Sequence, residues 1–162
     1  MPAMDAFLAI ASKRDERAYA DTPLPDDVVT RILDAGRLAG SAVNRQPWQF
    51  VVVSDREALA AAVYAPQNVL TAALVVAIVG ARGFDVGRCA QNMMLAAWND
   101  GVASCPNGIQ DAEKAAEVVG GEVGVVLSFG HPARGREPES RTAAEWSARA
   151  KRKPLDELIR QA

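Results

Sequence analysis

The sequence is poor in the residues that build metal centres and disulfide frameworks. Its 162 residues include two cysteines, Cys89 and Cys105, and one histidine, His131. The cysteines lack CxxC spacing and the histidine is distant from both in the chain, so we expect no metal site and do not favour a disulfide. The chain also lacks a GxSxG elbow, and a single histidine gives no basis for a nucleophile paired with a base.

Long hydrophobic runs and an excess of positive charge are missing too. The longest strongly apolar run, "LTAALVVAIVG" at 70–80, is far shorter than the roughly 20 residues that cross a bilayer. The N-terminal stretch has no basic segment before its apolar residues, which argues against a secretory signal. With a formal net charge of -2 and a pI near 5.4, the chain has no general attraction to nucleic acid or anionic membranes. We therefore expect a cytoplasmic protein that binds neither.

Glycine-rich phosphate loops are also absent. No GxxxxGK[ST] occurs, and "VGGEVG" at 119–124 precedes a predicted strand and does not fit GxGxxG. Basic residues cluster in two places instead, "KRDER" at 13–17 and "AKRK" at 150–153. Each cluster is explained equally by a solvated segment or by the dipole at a helix end, so neither by itself predicts a phosphate site.

The hydrophobic content is high enough for a real core. With 49% hydrophobic and 23% charged residues, residues 1–162 are expected to form a single globular domain. The apolar spacing predicts helices over 3–13, 25–40, 56–64, 86–99 and 110–119, and strands over 50–53, 74–79 and 123–129. This pattern indicates a mixed α/β or α+β domain. The C-terminal tail has only Leu155, Leu158 and Ile159 as apolar positions, so it should dock on this subunit or on another.

Two polar junctions lie beside predicted strands or helices: "SAVNRQPW" at 41–48 and "SCPNG" at 104–108. In the first, Ser41, Asn44 and Gln46 offer neutral donors and acceptors, Pro47 stiffens the backbone, and Trp48 adds a flat apolar wall. This mixture suits a flat heteroaromatic ligand with a hydrogen-bonding edge. A capped turn with the tryptophan in the core explains the same residues, and the residues alone favour it.

Five segments in order resemble the flavin-dependent nitroreductase family. They are "KRDERAY", "PLPDDVVTRILDAGRLAGSAVNRQPWQFVVV", "DVGRCAQNMMLAAWNDGVASCPNG", "SFGHP" and "KRKPLDELI", and together they run from about Lys13 to Ile159. The resemblance implies an α+β, nitroreductase-like fold with a central mixed or antiparallel sheet flanked by helices. It also implies a homodimer that completes the domain, with FMN in the subunit interface and the tail, about 151–162, reaching the partner subunit.

The resemblance also assigns FMN contacts to positions in this chain. They are Lys13, Arg14, Asp15, Arg17, Ser41, Asn44, Pro106, Asn107, Gly108 and Arg152. The bases of segment 13–17, which is commonly RRSxR in the family, would hold phosphate and ribityl oxygens, together with the C-terminal arginine. The turn 41–44 would lie beside the flavin, and residues 106–108 would run along the isoalloxazine ring.

The activity implied by the resemblance is hydride transfer from NADH or NADPH, through the flavin, to a small electron acceptor. Nitroaromatics, quinones or similar conjugated compounds are the expected acceptors, in a ping-pong scheme that requires no identified catalytic acid or base. Flavin-dependent dehalogenation, enone reduction and flavin breakdown are alternatives within the family.

Three positions depart from the family pattern. Asp15 stands where the family usually has Ser or Thr, Glu16 follows it, and Gly40 replaces a common Pro. An acid near a phosphate opposes binding, unless Asp15 pairs with Arg17 or bonds a ribityl hydroxyl. These acids motivate a further alternative, a flavin-binding or storage dimer without turnover.

Overall fold

The computed structural model describes residues 4–81 and 83–161, which form two compact units. The larger unit contains residues 14–136, and the smaller one combines 4–13 with 137–161 from the two ends of the chain. Each unit is described by itself below. The expected single domain over residues 1–162 stays a prediction.

The described residues form seven α-helices and four strands. In chain order they are α1 (Ala6–Ser12), α2 (Asp26–Arg37), β1 (Gln49–Val52), α3 (Arg56–Ala60), α4 (Pro66–Leu70), β2 (Leu74–Val79), α5 (Gly83–Asn99), β3 (Ala103–Asn107), α6 (Ala112–Val119), β4 (Val123–Gly130) and α7 (Ala143–Arg149). Short 3-10 helices cover Ala42–Asn44 and Pro138–Ser140. Within the described residues, no helix is long and apolar enough to cross a membrane.

The four strands form one sheet in the larger unit, in the order β1-β2-β4-β3, and every neighbouring pair is antiparallel. The register aligns Val51 with Ala77, Ala77 with Val126, and Val126 with Asn107 across the whole sheet. The expected α+β class is therefore confirmed, with the antiparallel rather than the mixed form of the sheet.

Both faces of the sheet are buried. On one face Ile78 and Leu127 pack with Met93 of α5 and with α2; on the other face Ala77 packs with residues of α3, α4 and α6. Helices α2 and α5 approach closely, since a Cβ at Gly36 would lie 2.9 Å from Cγ of Met93. Because alternate residues of β2 enter two different cores, its sequence is a continuous apolar run without polar alternation.

Strand β3 and the short helix α4 are elements that the sequence did not predict. The β3 residues "ASCPN" contain no β-branched or aromatic side chain, and the sequence indicates only a break after the preceding helix. The proline is tolerated because β3 is an edge strand of the ladder, with β4 on one side only. The strand therefore exists through its pairing with β4 rather than through local propensity.

The smaller unit is formed by α1, α7 and the residues after them. Oδ1 of Asp5 caps α1 by accepting from the backbone N–H groups of Phe7 and Leu8, each at 3.0 Å. Thr142 and Glu145 form a capping box at the start of α7, and hydrogen bonds from the Thr142 backbone and side chain lower the pKa of Glu145. Helices α1 and α7 pack together, and residues 151–161 are exposed.

Candidate functional site

Segment 14–17 lies alongside strand β3. Asp15 forms a parallel bridge with Ser104, and the Glu16 backbone N–H donates to the Ser104 carbonyl oxygen at 3.2 Å. The basic segment and the "SCPNG" junction are about 90 residues apart in sequence and are separate candidates there. The structure brings them together at one edge of the sheet.

Glu16 is held through both its backbone and its side chain. Besides its backbone N–H, its carbonyl oxygen accepts from the Tyr19 hydroxyl at 2.9 Å. Its carboxylate is paired with the guanidinium of Arg136, and its side chain is only 17% exposed. The acid therefore anchors the basic segment, and its negative charge is compensated by Arg136. Sequence reasoning missed this arginine, because nothing local links two residues 120 positions apart.

A buried polar network lies next to this segment. The Tyr19 hydroxyl is 2.9 Å from Oγ of Ser128, which donates to the Cys105 carbonyl at 3.2 Å. Nδ2 of Asn107 donates to the same Oγ at 3.2 Å, and Nδ2 of Asn68 donates to Oδ1 of Asn107 at 3.0 Å. Burial raises the pKa of Tyr19 to about 12, so its hydroxyl stays protonated and donates to Glu16. The network therefore links the segment that contains Glu16 and Tyr19 to strands β3 and β4 by hydrogen bonds.

The three residues expected along the flavin ring have different environments. Pro106 and Gly108 are exposed, whereas the Asn107 side chain is 6% exposed and engaged in the buried network. Any contact of Asn107 with a ligand would therefore use its backbone. Tyr64 has no signal in the sequence that would select it. It is 72% exposed, and a Cβ at Gly108 would lie 3.1 Å from its Cδ2. This ring adds an aromatic wall at the end of β3.

Ser104 carries a hydroxyl with no hydrogen-bond partner among the described residues, although the side chain is fully buried. Because a buried hydroxyl without a partner costs free energy, we expect Ser104→Ala to raise the free energy of unfolding by about 1 kcal/mol in urea titrations. The matched control is Ser128→Ala, which removes a bonded hydroxyl and should lower stability. A loss of stability in both variants would show that the Ser104 hydroxyl has a partner.

The turn 41–48 has an unusual backbone. Val43, Asn44 and Gln46 have φ values of 53°, 53° and 48°, in the left-handed region. A β-branched residue such as Val43 adopts this region only at a cost, and such strain is concentrated at functional sites. The hydroxyl of Ser41 accepts from the Gln46 backbone N–H at 2.8 Å. The capped-turn interpretation is confirmed for this serine, and Trp48 is buried in the core as expected.

The turn and β3 belong to opposite edges of the sheet. The turn leads into β1, and the strand order places β2 and β4 between β1 and β3. Three strand spacings separate the two edges, about 14 Å in all. A ligand that contacts both segments must therefore span the sheet or lie between two copies of the chain.

The remaining predicted ligands are in the smaller unit. Lys13 caps the end of α1, where its backbone N–H donates to the Ala9 carbonyl at 3.0 Å. Arg152 is exposed in the tail, directly after Lys151, which has a φ of 51°. The roles of Lys13 and Arg152 as phosphate ligands stay predictions.

Metal or thiol chemistry would need a cluster of ligand side chains or a reactive cysteine. Among the described residues, no group of three or more His, Cys, Asp or Glu side chains could hold a metal ion. Cys89 and Cys105 are both buried, and neither forms a disulfide. Burial also raises the pKa of Cys89 to about 11, which keeps it a thiol at neutral pH.

The N-terminal half of the chain is similar in sequence to known proteins. Residues 10–82 match the nitroreductase family, a range that includes the basic segment and the turn 41–48. A protein of Methanothermobacter thermautotrophicus named as an NADH dehydrogenase/NAD(P)H nitroreductase is 43% identical over 56 residues, which cover 35% of this chain and 29% of that protein. An NADH dehydrogenase of Thermus thermophilus is 36% identical over 81 residues, which cover 48% of this chain and 40% of the relative. The chain thus matches less than half of the length of these curated relatives.

Similarity in structure extends over almost the whole chain. A protein of Desulfovibrio desulfuricans, solved in complex with FMN and named as a nitroreductase, superposes with a TM-score of 0.80 at 24% identity. The superposition covers 98% of each chain. The resemblance noted in the sequence is confirmed, and the fold is that of the nitroreductases.

Proposed function

We propose that this chain, which is a nitroreductase-family protein in fold and in its sequence over residues 10–82, is an FMN-dependent oxidoreductase. NADH or NADPH would be its reductant, and a nitroaromatic, quinone or similar conjugated compound its acceptor. The observation that carries the proposal is the pairing of the basic segment 14–17 with β3, the strand that ends in residues 106–108.

The donors of this edge fit the phosphate of FMN. A phosphate with up to two negative charges is bound best by several charge-assisted hydrogen bonds, and an arginine supplies two at once. By resemblance, we assign this role to Lys13, Arg14, Arg17 and Arg152. The Glu16 carboxylate would repel a bound phosphate, but this repulsion is reduced because Arg136 pairs with the carboxylate and compensates its charge.

The end of β3 fits the flavin ring. Pro106 presents an exposed apolar surface, Gly108 has no side chain to obstruct a ring, and Tyr64 flanks the glycine. The flavin, when bound, supplies the two-electron redox chemistry, and the chain positions it. Reduction of a nitro group to a nitroso group consumes one NAD(P)H and one proton and releases water and NAD(P)+. None of these steps requires an acid or base that we can assign to a side chain.

A homodimer with FMN in its interface is part of the proposal. Ser41 and Asn44 belong to the opposite edge of the sheet from β3, so a second copy would supply them to the same flavin. The exposed tail, with Leu155, Leu158 and Ile159 each more than 60% exposed, offers apolar side chains to that copy. The molar mass from light scattering tests this part, since a monomer that retains FMN would contradict it.

The proposal as a whole is tested by the visible absorption spectrum of the purified protein without oxygen. We expect a yellow protein whose flavin bands bleach rapidly when NADH or NADPH is added. A colourless protein that neither binds added FMN nor gains thermal stability from it would contradict the proposal. Steady-state rates with nitro, quinone, enone and halogenated acceptors then separate the reactions within the family.

The storage alternative has less support than the sequence suggested. It is motivated by the acids at 15 and 16, but the second of these is paired with Arg136 and anchored on β3. Bound flavin that NADH and NADPH both fail to reduce would nevertheless favour storage. Rapid bleaching excludes it.

A further inference from the structure

A cavity of about 470 Å³ opens on the larger unit between the residues that follow α2 and one face of α5. Leu38 and Gly40 form one side, and Phe84, Arg88 and Gln91 form the other. The three α5 residues lie on one face because they are spaced four and three positions apart in a helix. The volume is in the range of sites that bind small organic molecules.

Gly40 makes room for the guanidinium of Arg88. A Cβ at position 40 would overlap Nη2 of this arginine and lie 3.0 Å from its Cζ. The φ of Gly40 is not in the left-handed region, so alanine is compatible with the backbone there. The departure from the common proline at this position therefore has a local consequence, because it lets a cation occupy the wall of the cavity.

The same guanidinium lies over an aromatic ring. Cζ of Arg88 is 5.4 Å from the ring centroid of Phe84, which is 78% exposed. No carboxylate of the described residues forms an ion pair with Arg88, so its planar donors are available to a ligand. Leu38, 64% exposed, adds an apolar surface.

The guanidinium and the two exposed apolar side chains of this cavity suit an aromatic ligand that carries a negative charge. A guanidinium binds a carboxylate through two parallel hydrogen bonds, while an exposed phenyl ring and a leucine favour an aromatic ring. Gly40 is bonded directly to Ser41, the first residue of the turn proposed to lie beside the flavin. Resting on the proposed function, we propose that Arg88 and Phe84 bind the acidic group and the ring of an aromatic acceptor, which makes this oxidoreductase selective for anionic aromatic substrates.

The first experiment compares two acceptors of nearly equal shape, 4-nitrobenzoate and the neutral 4-nitrobenzamide. We expect Arg88→Ala to lower kcat/KM for the benzoate by about 10- to 100-fold and to leave the benzamide nearly unchanged. Arg88→Lys, which keeps the charge but loses the planar fork, should fall between wild type and Arg88→Ala. Gly40→Ala should also reduce the preference for the benzoate, because its methyl group displaces the guanidinium.

A second readout does not depend on turnover. Calorimetric titration of the oxidised protein with benzoate should show binding that Arg88→Ala abolishes and that benzamide does not reproduce. The matched control is Arg134→Ala, which removes an exposed arginine in the loop after β4 and should leave benzoate binding intact. The same titration on protein stripped of FMN tests the cavity without the cofactor.

The results that overturn the inference differ from those that overturn the proposed function. A wild-type protein that reduces neither acceptor, yet binds benzoate through Arg88, defeats the oxidoreductase proposal and leaves the anion site standing. A ratio of benzoate to benzamide kcat/KM that is unchanged in Arg88→Ala defeats the anion site. If Arg88→Ala instead raises KM for NADPH relative to NADH, the arginine binds the phosphate of the reductant and the inference is wrong.

Discussion

Replacing Asn107 by alanine will lower the free energy of unfolding by about 2–4 kcal/mol. The physical reason is the number of buried groups that lose their partner at once. The two hydrogens on Nδ2 of Asn107 are shared among the carbonyls of Cys105 and Val126 and Oγ of Ser128, and Oδ1 accepts from Asn68. Alanine removes all of these bonds at once and leaves the buried Nδ2 of Asn68 without this acceptor, whereas the Ser128 hydroxyl and the Cys105 carbonyl keep the bond between them.

The measurement is urea unfolding followed by circular dichroism, with the midpoint and slope fitted separately. Asn92→Ala is the matched control, because this asparagine is exposed and donates one hydrogen bond, to the Ala35 carbonyl at 3.3 Å. We expect it to change stability by less than about 1 kcal/mol. Equal losses of unfolding free energy in the two variants would show that the buried hydrogen bonds of Asn107 stabilise the fold no more than the single exposed bond of Asn92.

The second large effect concerns FMN affinity. We expect Arg17→Ala to weaken FMN binding by about 10- to 100-fold, which is the loss of one or two hydrogen bonds between a guanidinium and a phosphate. Fluorescence of free FMN, which is quenched on binding, gives the dissociation constant. The loss should shrink as salt is raised, since the interaction is between charges. An unchanged constant would remove Arg17 from the phosphate site.

Glu16 and Arg136 provide an internal control for this interpretation. Arg136→Ala removes the partner of the Glu16 carboxylate and should weaken FMN binding several-fold, although Arg136 is not itself a proposed phosphate ligand. Glu16→Gln in the Arg136→Ala background should restore the affinity, because the uncompensated charge is gone. If the double variant binds no better than Arg136→Ala, the arginine acts through something other than Glu16.

Much of the fold follows from local signals in the chain. The apolar run at 74–79 predicts β2 with its bounds, and α2 and β4 are predicted with bounds close to those observed. These elements owe their sequences to burial, which imposes a period of 3.6 or a continuous apolar run. The motif around Ser41 and Asn44 likewise points to the family through its residues alone, and Trp48 is in the core as its size and setting indicate.

What the sequence could not determine depends on contacts between distant residues. Strand β3 has no strand-like composition and forms because β4 pairs with it on one side while the basic segment borders the other. The direction of the Asn107 side chain follows from the register of that pairing, which places it opposite Val126 and into the buried network.

The environment of the charged side chains also depends on contacts between residues distant in the sequence. Sequence alone counts Glu16 against anion binding, and only the folded chain brings Arg136 to it. Gly40 appears in the sequence as a departure from a pattern, whereas the structure shows that its missing side chain admits Arg88. Periodicity and composition thus determine which segments become helices and buried strands. The partners of polar side chains are decided by tertiary packing, because no local pattern encodes a pair 120 residues apart.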